Sequence, residues 1–554
     1  MAPRQRSRGR FSPRGDSINL GVPYGVGLSK ILALRRASLS IIRDSVKKET
    51  STSKCTAFFL EYDDEPPRRG CKCKRHTDTA QEEEFFKRHA HDLFHVCKSA
   101  MVDSSVDDND SADGPGRRLL ESFTNRDPSY RWKLIEMELS LMYDILYTKA
   151  AVVHTLHGHC IRVASSLAVA TSLLLFRFSN KAAGYSRVDV AITYTLLGGA
   201  LLLETTSLLS ALFSTWTFAF LCTTRWSRLQ HAVLCSGRWS KLRRVVVSLH
   251  RLAYATGIAV CFRLSRRWHG TMGQYSMLDK CTRWQYHISN SSARSVNVPE
   301  QVKDRVVYHI SSIVRKKHIN TLGVIRLNWG VKALKDHKFN VKEACLGAEI
   351  QEAIVIWHIA TDILLAELGK LIRTEQQDAE AIKAISQYMM FLLVKRPAML
   401  PGLAQIKLYQ RTEQTLANEW RLAAVDKLKP PASCWIHSAC TMVMEQLRCG
   451  CGGPNSDARL QRRQKLAKKL FDRRPQSDKH GKSSRVRFGI ELARKLNKRE
   501  DSLQIVLAVW IDILVYTANR CSRESHANQL SRGGELTTLI WLMTEHRHRH
   551  EASS

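Results

Sequence analysis

The side chains that could do chemistry fall into three groups of histidine, cysteine and carboxylate. The first is Cys71-x-Cys73-x2-His76 followed by His89-x-His91-x3-His95-x-Cys97. A helix would carry His91 and His95 on one face, because residues four apart stack one above the other. Thiolates of Cys71 and Cys73 from an upstream loop would then complete the four nitrogen and sulfur ligands that zinc takes. The spacing matches no standard finger, and Glu82, Glu83 and Glu84 interrupt it. Surface His and Cys in a polar segment is the plainer reading. The second group, Cys434, Cys440, Cys449 and Cys451, fits neither a zinc ribbon nor an iron–sulfur pattern. The third is His358 with Asp362, again four apart. A carboxylate that orients an imidazole is how many general bases are built. No nucleophile or oxyanion motif accompanies the pair, so a structural hydrogen bond is the plainer reading. The chain contains no Walker loop, GxSxG or HExxH motif, and no GxGxxG after a strand.

The elements that would position these groups are helical, and some belong in a membrane. Val190 to Thr224 holds one charge, Glu204, and Thr205 to Leu278 holds no acid at all. Ten bases lie in that second stretch, from Arg225 to Arg267. A bilayer core takes about 20 apolar residues of helix to cross, and Lys and Arg gather on its cytoplasmic flank. His157 to Phe176 is a shorter candidate bounded by Arg177, with Arg162 inside it. Its arginines can snorkel. Together the two runs predict one or two spans, and a hairpin would keep both large flanks in the cytosol. Val245 to Phe262 reads as interfacial or buried. Glu204 is an intramembrane acidic candidate, since charge in hydrocarbon is costly; lying at the interface is its plainer reading. Arg225, Arg228, Arg238, Lys241, Arg243 and Arg244 are the candidates for lipid contact, each attracted to an anionic leaflet by about 1 kcal/mol.

Composition agrees with a few spans attached to large polar parts. The chain has 554 residues, 85 Lys and Arg against 51 Asp and Glu, and a formal net charge of +34. Its mean hydropathy of -0.26 excludes a polytopic carrier. Such a charge implies anionic partners: membrane lipids with anionic headgroups first, then a protein partner. Nucleic acid is not expected, because the basic stretch around Arg473 lacks the interleaved aromatics of a single-strand groove. The 15 cysteines are odd in number and scattered, which fits reduced thiols. The Arg- and Ser-rich start is similar to a transit peptide, although a disordered basic tail explains it as well.

The remaining sequence reads as mainly α. Ile350, Ile354, Trp357, Thr361, Leu364, Leu365 and Leu368 form one stripe of an amphipathic helix. Gln376 to Val394 is a second helix, stopped before Pro397. Ala432 to Leu447 is a third. Asp501 can cap a helix through LQIVLAVWIDILVYTANR, with Gln504 at the capping-box position. A last helix runs from Glu535 to His546 beyond Gly533 and Gly534.

Five blocks add a family resemblance. YSRVDVAITYTLLGGALLLE (Tyr185 to Glu204), RRWHGTMGQYSMLD (Arg266 to Asp279), EAIVIWHIATDI (Glu352 to Ile363), ISQYMMFLLVKRPAMLPG (Ile385 to Gly402) and HANQLSRGGELTTLIWLM (His526 to Met543) occur in this order. Together they resemble the plant, grass-type membrane proteins that carry domain of unknown function 4220 (DUF4220) with a C-terminal domain of unknown function 594 (DUF594). The resemblance implies a multi-pass membrane protein with a cytosolic helical C-terminal region and no established activity. Members usually begin with further apolar spans ahead of Glu61. Here the first 60 residues are basic and polar, so a truncated or alternative N-terminus is expected.

The expected organisation is a basic disordered N-terminus (1–60) and an acidic linker with a short helix (61–125). A membrane region and basic juxtamembrane segment (126–290) resembles the first domain. A helical cytosolic domain (291–455), a basic linker (456–500) and a C-terminal helical pair resembling the second domain (501–546) follow. The expected function is a non-enzymatic membrane anchor or interaction protein, without a cofactor. The alternative is a membrane-associated enzyme or metal protein using His358 and Asp362 or the early His/Cys cluster.

Overall fold

The computed structural model describes parts of 89–101, 127–147, 156–179, most of 186–217, 245, 268–282 except 269, and 294–315. It also describes 321–368 except 345 and 348, 373–425 except 404, 455–472 and 484–552. The chain divides into two units: residues 1–119 with 137–267, and residues 120–136 with 268–554. Both are mainly α. Helix α1 (Pro128–Tyr147) has residues in each.

In the first unit, α2 (Leu156–Phe178) and α3 (Arg187–Leu212) are joined by eight residues and lie side by side. Arg162 meets Ser207, and the rings of Phe176 and Tyr194 lie 5.0 Å apart. As one helix advances by 14 residues the other retreats by 13, so the pair is an antiparallel hairpin. At 1.5 Å per residue the helices extend about 34 and 39 Å, against about 30 Å of bilayer hydrocarbon. Their polar groups are turned inward to the backbone: the hydroxyls of Thr171, Ser172, Thr193, Thr195, Thr205 and Thr206 each donate to the carbonyl four residues back at 2.8 Å. A hydroxyl bonded within its own helix needs no water. The same unit has a small core of Leu93, Phe94, Cys97, Leu139, Leu141 and Met142.

The second unit opens with β1 (Thr271–Gln274), α4 (Met277–Cys281) and β2 (Arg294–Asn297). The strands pair antiparallel, Thr271 opposite Asn297 and Gln274 opposite Arg294. This ribbon has no counterpart in the sequence reading. Next come α5 (Glu300–Arg315), α6 (Thr321–Leu327), α7 (Val331–Asp336), α8 (Ile350–Glu367), α9 (Arg373–Lys395) and α10 (Ile406–Val425). The chain continues through α11 (Asn455–Asp472), α12 (Ser484–Asn497), α13 (Ser502–Arg520), α14 (Arg523–Leu530) and α15 (Leu536–Ala552).

Helix α8 is the axis of this unit. It is mostly apolar and almost entirely buried from Ile350 to Leu364, and α9, α11 and α12 surround it. Gly489 lets α12 approach: a Cβ there would stand 2.8 Å from Ile359 Cγ2. Residues 456–500, expected as a basic linker, therefore contain two helices packed on α8. Lys465 and Lys468 lie outward, while Leu466, Ala467, Leu470, Leu492 and Leu496 are buried.

Helix α13 has the length and composition of a membrane span, yet Ile505, Val506, Val509, Trp510, Ile513 and Leu514 are fully buried within the unit. It packs against α9, α15, α6 and α7. Asp501 stands at its N-cap without a side-chain bond to the helix. Arg499 takes the carboxylate instead, at 2.9 and 3.0 Å, with His337 at 3.3 Å. The expected cap does not form because a cation outcompetes a backbone amide for that carboxylate. The helix expected over Ala432 to Leu447 and the run Val246 to Phe262 lie outside the described residues.

Candidate functional site

His358 and Asp362 share one face of α8, as their spacing requires, with side chains 0% and 1% exposed. The amide of Met277 donates to His358 Nε2 at 3.2 Å. That nitrogen is therefore the acceptor, so Nδ1 carries the proton and donates to Ser386 Oγ at 2.8 Å. Both ring nitrogens are occupied. Burial pushes the imidazole pKa below its ordinary value, and the nearby Arg463 adds to this. Burial alone would raise Asp362, but the Arg463 guanidinium and His358 outweigh it and hold the carboxyl below the usual range. Arg463 bonds Asp362 Oδ1, and Ser276 Oγ donates to Oδ2 at 3.3 Å. The arrangement ties α8 to α9, to the start of α4 and to α11. With both imidazole nitrogens engaged and both side chains buried, the pair works as a lock in the core.

Two further polar locks lie in the second unit, and the sequence reading missed both. Asp512, in the middle of α13, accepts from Asn328 Nδ2 at 2.8 Å and the Ala333 amide at 3.2 Å, and its Oδ1 lies 3.1 Å from His309 Nε2. Burial pushes its pKa up to about 6 and that of His309 down to about 4. At neutral pH an ionised Asp512 thus lies beside a neutral His309. Glu535 precedes α15, accepts from Tyr388 Oη at 3.1 Å and Gln529 Nε2 at 3.2 Å, and lies 3.7 Å from Arg396 Nε. Its burial raises its pKa to about 7. Beside it, His526 stacks on Trp541 with centroids 4.8 Å apart. Its ring nitrogens reach Thr538 Oγ1 and the Ala518 carbonyl at 3.0 and 3.1 Å. The available signal was a charged or imidazole residue inside an otherwise apolar run, as at Asp512 in VWIDILV.

The hairpin presents a different kind of surface. Leu167, Leu174, Leu175, Val188, Ile192, Leu196, Leu202 and Leu203 are all exposed along it. Apart from Arg177, Arg187 and Asp189 at the turn end, its charges Arg162 and Glu204 lie at one level. Arg162 Nη1 donates to the Ser207 carbonyl at 2.8 Å and to the Ser207 hydroxyl, and attracts the Glu204 carboxylate one turn earlier. Glu204 is therefore matched by a base on the neighbouring helix.

Of the expected metal ligands, Cys71, Cys73 and His95 lie outside the described residues. His91 sets its ring edge-on to Trp216, with centroids 4.8 Å apart. The Cys97 thiol donates to Glu138 at 3.4 Å, and the Trp216 indole donates to Asp144 at 3.3 Å. Arg225, Arg228, Arg238, Lys241, Arg243 and Arg244 also lie outside the described residues.

The fold defines a class: a mainly α-helical protein that pairs an apolar two-helix hairpin with a helical unit locked by buried polar groups. Two family models match the chain, a domain of unknown function (DUF4220) over residues 28–281 and a protein of unknown function, DUF594, over residues 495–548. The chain thus carries both domains, in that order. The first match contains α1, the hairpin, β1 and α4, and begins inside the segment expected to be a basic, disordered N-terminus. The second contains α13, α14 and most of α15. Searches of curated proteins and of solved structures found no significant match.

Proposed function

We propose that the protein is a non-enzymatic membrane anchor or interaction protein. The α2–α3 hairpin sits in a bilayer, and the basic helical unit works on the cytosolic side against anionic lipid or a protein partner. The observation that carries this reading is the apolar outer surface of the hairpin. Two helices long enough to cross a bilayer leave leucines such as Leu167 62% exposed and Leu196 68% exposed, and few folds leave so much contiguous apolar surface to water. The acid-free stretch Thr205 to Leu278, with ten bases, supports a cytosolic flank after α3. The occupied nitrogens of His358 support a non-enzymatic reading of that pair.

Alkaline carbonate extraction of the tagged full-length chain, followed by protease protection, tests the anchor. Retention in the membrane with both termini cleaved from the cytosolic side is the expected result. Release into the soluble fraction overturns it. Replacing Arg243 and Arg244 by Gln should weaken binding to acidic vesicles, and unchanged binding removes those residues from the lipid surface.

A further inference from the structure

One end of the helical unit carries apolar side chains that the unit itself does not cover. Leu403 is 89% exposed, in the turn between the short 3-10 helix Pro397–Met399 and α10. Gly402 has φ +87, which turns the chain outward at a conformation that disfavours other residues. Gln351, on α8, bonds both Leu403 and Gln405. Gln351 Nε2 donates to the Leu403 carbonyl at 2.8 Å, and the Gln405 amide donates back to Gln351 Oε1 at 3.0 Å. Ile406, 49% exposed, opens α10 beside it.

The flanks are basic. Residues 395–411 contain Lys395, Arg396, Lys407 and Arg411 and no acid; Lys395, Lys407 and Arg411 are exposed. A second bare leucine belongs to the same end. Leu327 is 81% exposed, and its neighbour Arg326 donates to the Asn519 carbonyl in the last turn of α13 at 3.2 Å. Cys521, directly after α13, lies 3.6 Å from the Ala398 carbonyl. The exposed Arg520 completes this end, and the exposed acids there are Glu349 and Glu524.

We infer that this end docks on an anionic bilayer surface, with Leu403 and Ile406 entering the headgroup boundary and Lys395, Lys407, Arg411 and Arg520 meeting the headgroups. The inference rests on the reading that α2–α3 anchor the chain. A tether of that kind keeps a bilayer within reach of the unit and raises its effective concentration. Lipid matches both layers of the surface: an apolar tip meets acyl chain, and the basic flanks meet anionic headgroups. Backbone already bonded to Gln351 also loses less freedom on docking.

The test places a photoreactive benzophenone side chain at position 403 of the full-length chain in nanodiscs, with and without phosphatidylserine in phosphatidylcholine. Position 308 is the control, because Tyr308 is 66% exposed but adjoins His309, level with the middle of α13. Lipid adducts at 403 should exceed those at 308 several-fold and rise several-fold with phosphatidylserine. The double change Lys395→Glu and Lys407→Glu should remove that rise. Equal adducts at both positions, or crosslinks at 403 only to another protein or to a second copy, overturn the docking. Carbonate extraction of the same protein separates the two ideas. Retention without lipid adducts at 403 defeats the docking and leaves the anchor standing, and release defeats both.

Discussion

His309 Nε2 lies 3.1 Å from Asp512 Oδ1, joining α5 to the middle of α13 within the run Ile505 to Val515, which is otherwise apolar. Asp512 also holds the Asn328 side chain and the Ala333 amide, so one carboxylate fixes the entry to α7. Asp512→Ala leaves these donors without their acceptor, and each buried unsatisfied donor costs about 1–3 kcal/mol. We expect a total loss of roughly 3 kcal/mol, and a clearly smaller loss for Asp512→Asn, whose amide oxygen still accepts. Thermal unfolding of both variants checks this. Equal losses would show that the acceptor geometry is not what the carboxylate contributes.

Glu535 sets a pH dependence of stability. Burial raises its pKa from 4.5 to about 7, so the folded state holds the proton more tightly than the unfolded chain. Its stabilising contribution is complete below 4.5 and is lost as pH rises through 7. That shift corresponds to about 3 kcal/mol. Tyr388, Arg396 and Gln529 are the groups around it. His309 and His526, each lowered to about 4 by burial, act at the acid end: their contribution is present above 6.5 and is lost as pH falls toward 4. The readout for Glu535 is therefore the difference between wild type and Glu535→Gln. From pH 5 to pH 8 the wild type should lose more unfolding temperature than the variant, and parallel curves would refute the assignment.

Arg463 is the only cation bonded to Asp362 among the described residues. Arg463→Ala strands a buried carboxylate, which typically costs about 3–5 kcal/mol, and frees α11 from α8. Limited proteolysis should then cut within Asn455–Asp472 far faster than in the wild type. Adding Asp362→Asn removes the stranded charge and should restore part of the protection. A double variant as labile as the single one would assign α11 docking to its apolar face instead.

What the sequence made legible was local. The stripe from Ile350 to Leu368 marked α8, and the run from Val190 marked α3, because both signals repeat within a turn or two of helix. Two things were not legible. Hydropathy cannot separate a lipid-exposed helix from a central one, since both are apolar on every side; α3 and α13 look alike until α9 and α15 are seen to cover the latter. Asp512 was the clue that α13 had polar neighbours. Nor could the locks be read, because Arg463 meets Asp362 across 101 residues and Asn328 meets Asp512 across 184. Such pairs leave no periodic trace. The region 456–500 looked like a solvated linker because its bases outnumber its leucines, yet the few leucines sit where helices bury them.

The hairpin prediction separates lipid from protein as the cover of α2 and α3. Leu196 is 68% exposed on α3, near the level of Phe176 and Tyr194. If acyl chains surround it, Leu196→Lys carries a charge into hydrocarbon, at a cost of about 3 kcal/mol on insertion scales. Membrane retention after carbonate should fall sharply, while Leu196→Ala should be retained like the wild type. If another protein covers this face, both substitutions should disturb association with that protein and leave the retained fraction unchanged. A Lys variant that is retained fully and remains helical by circular dichroism would show that position 196 does not face lipid.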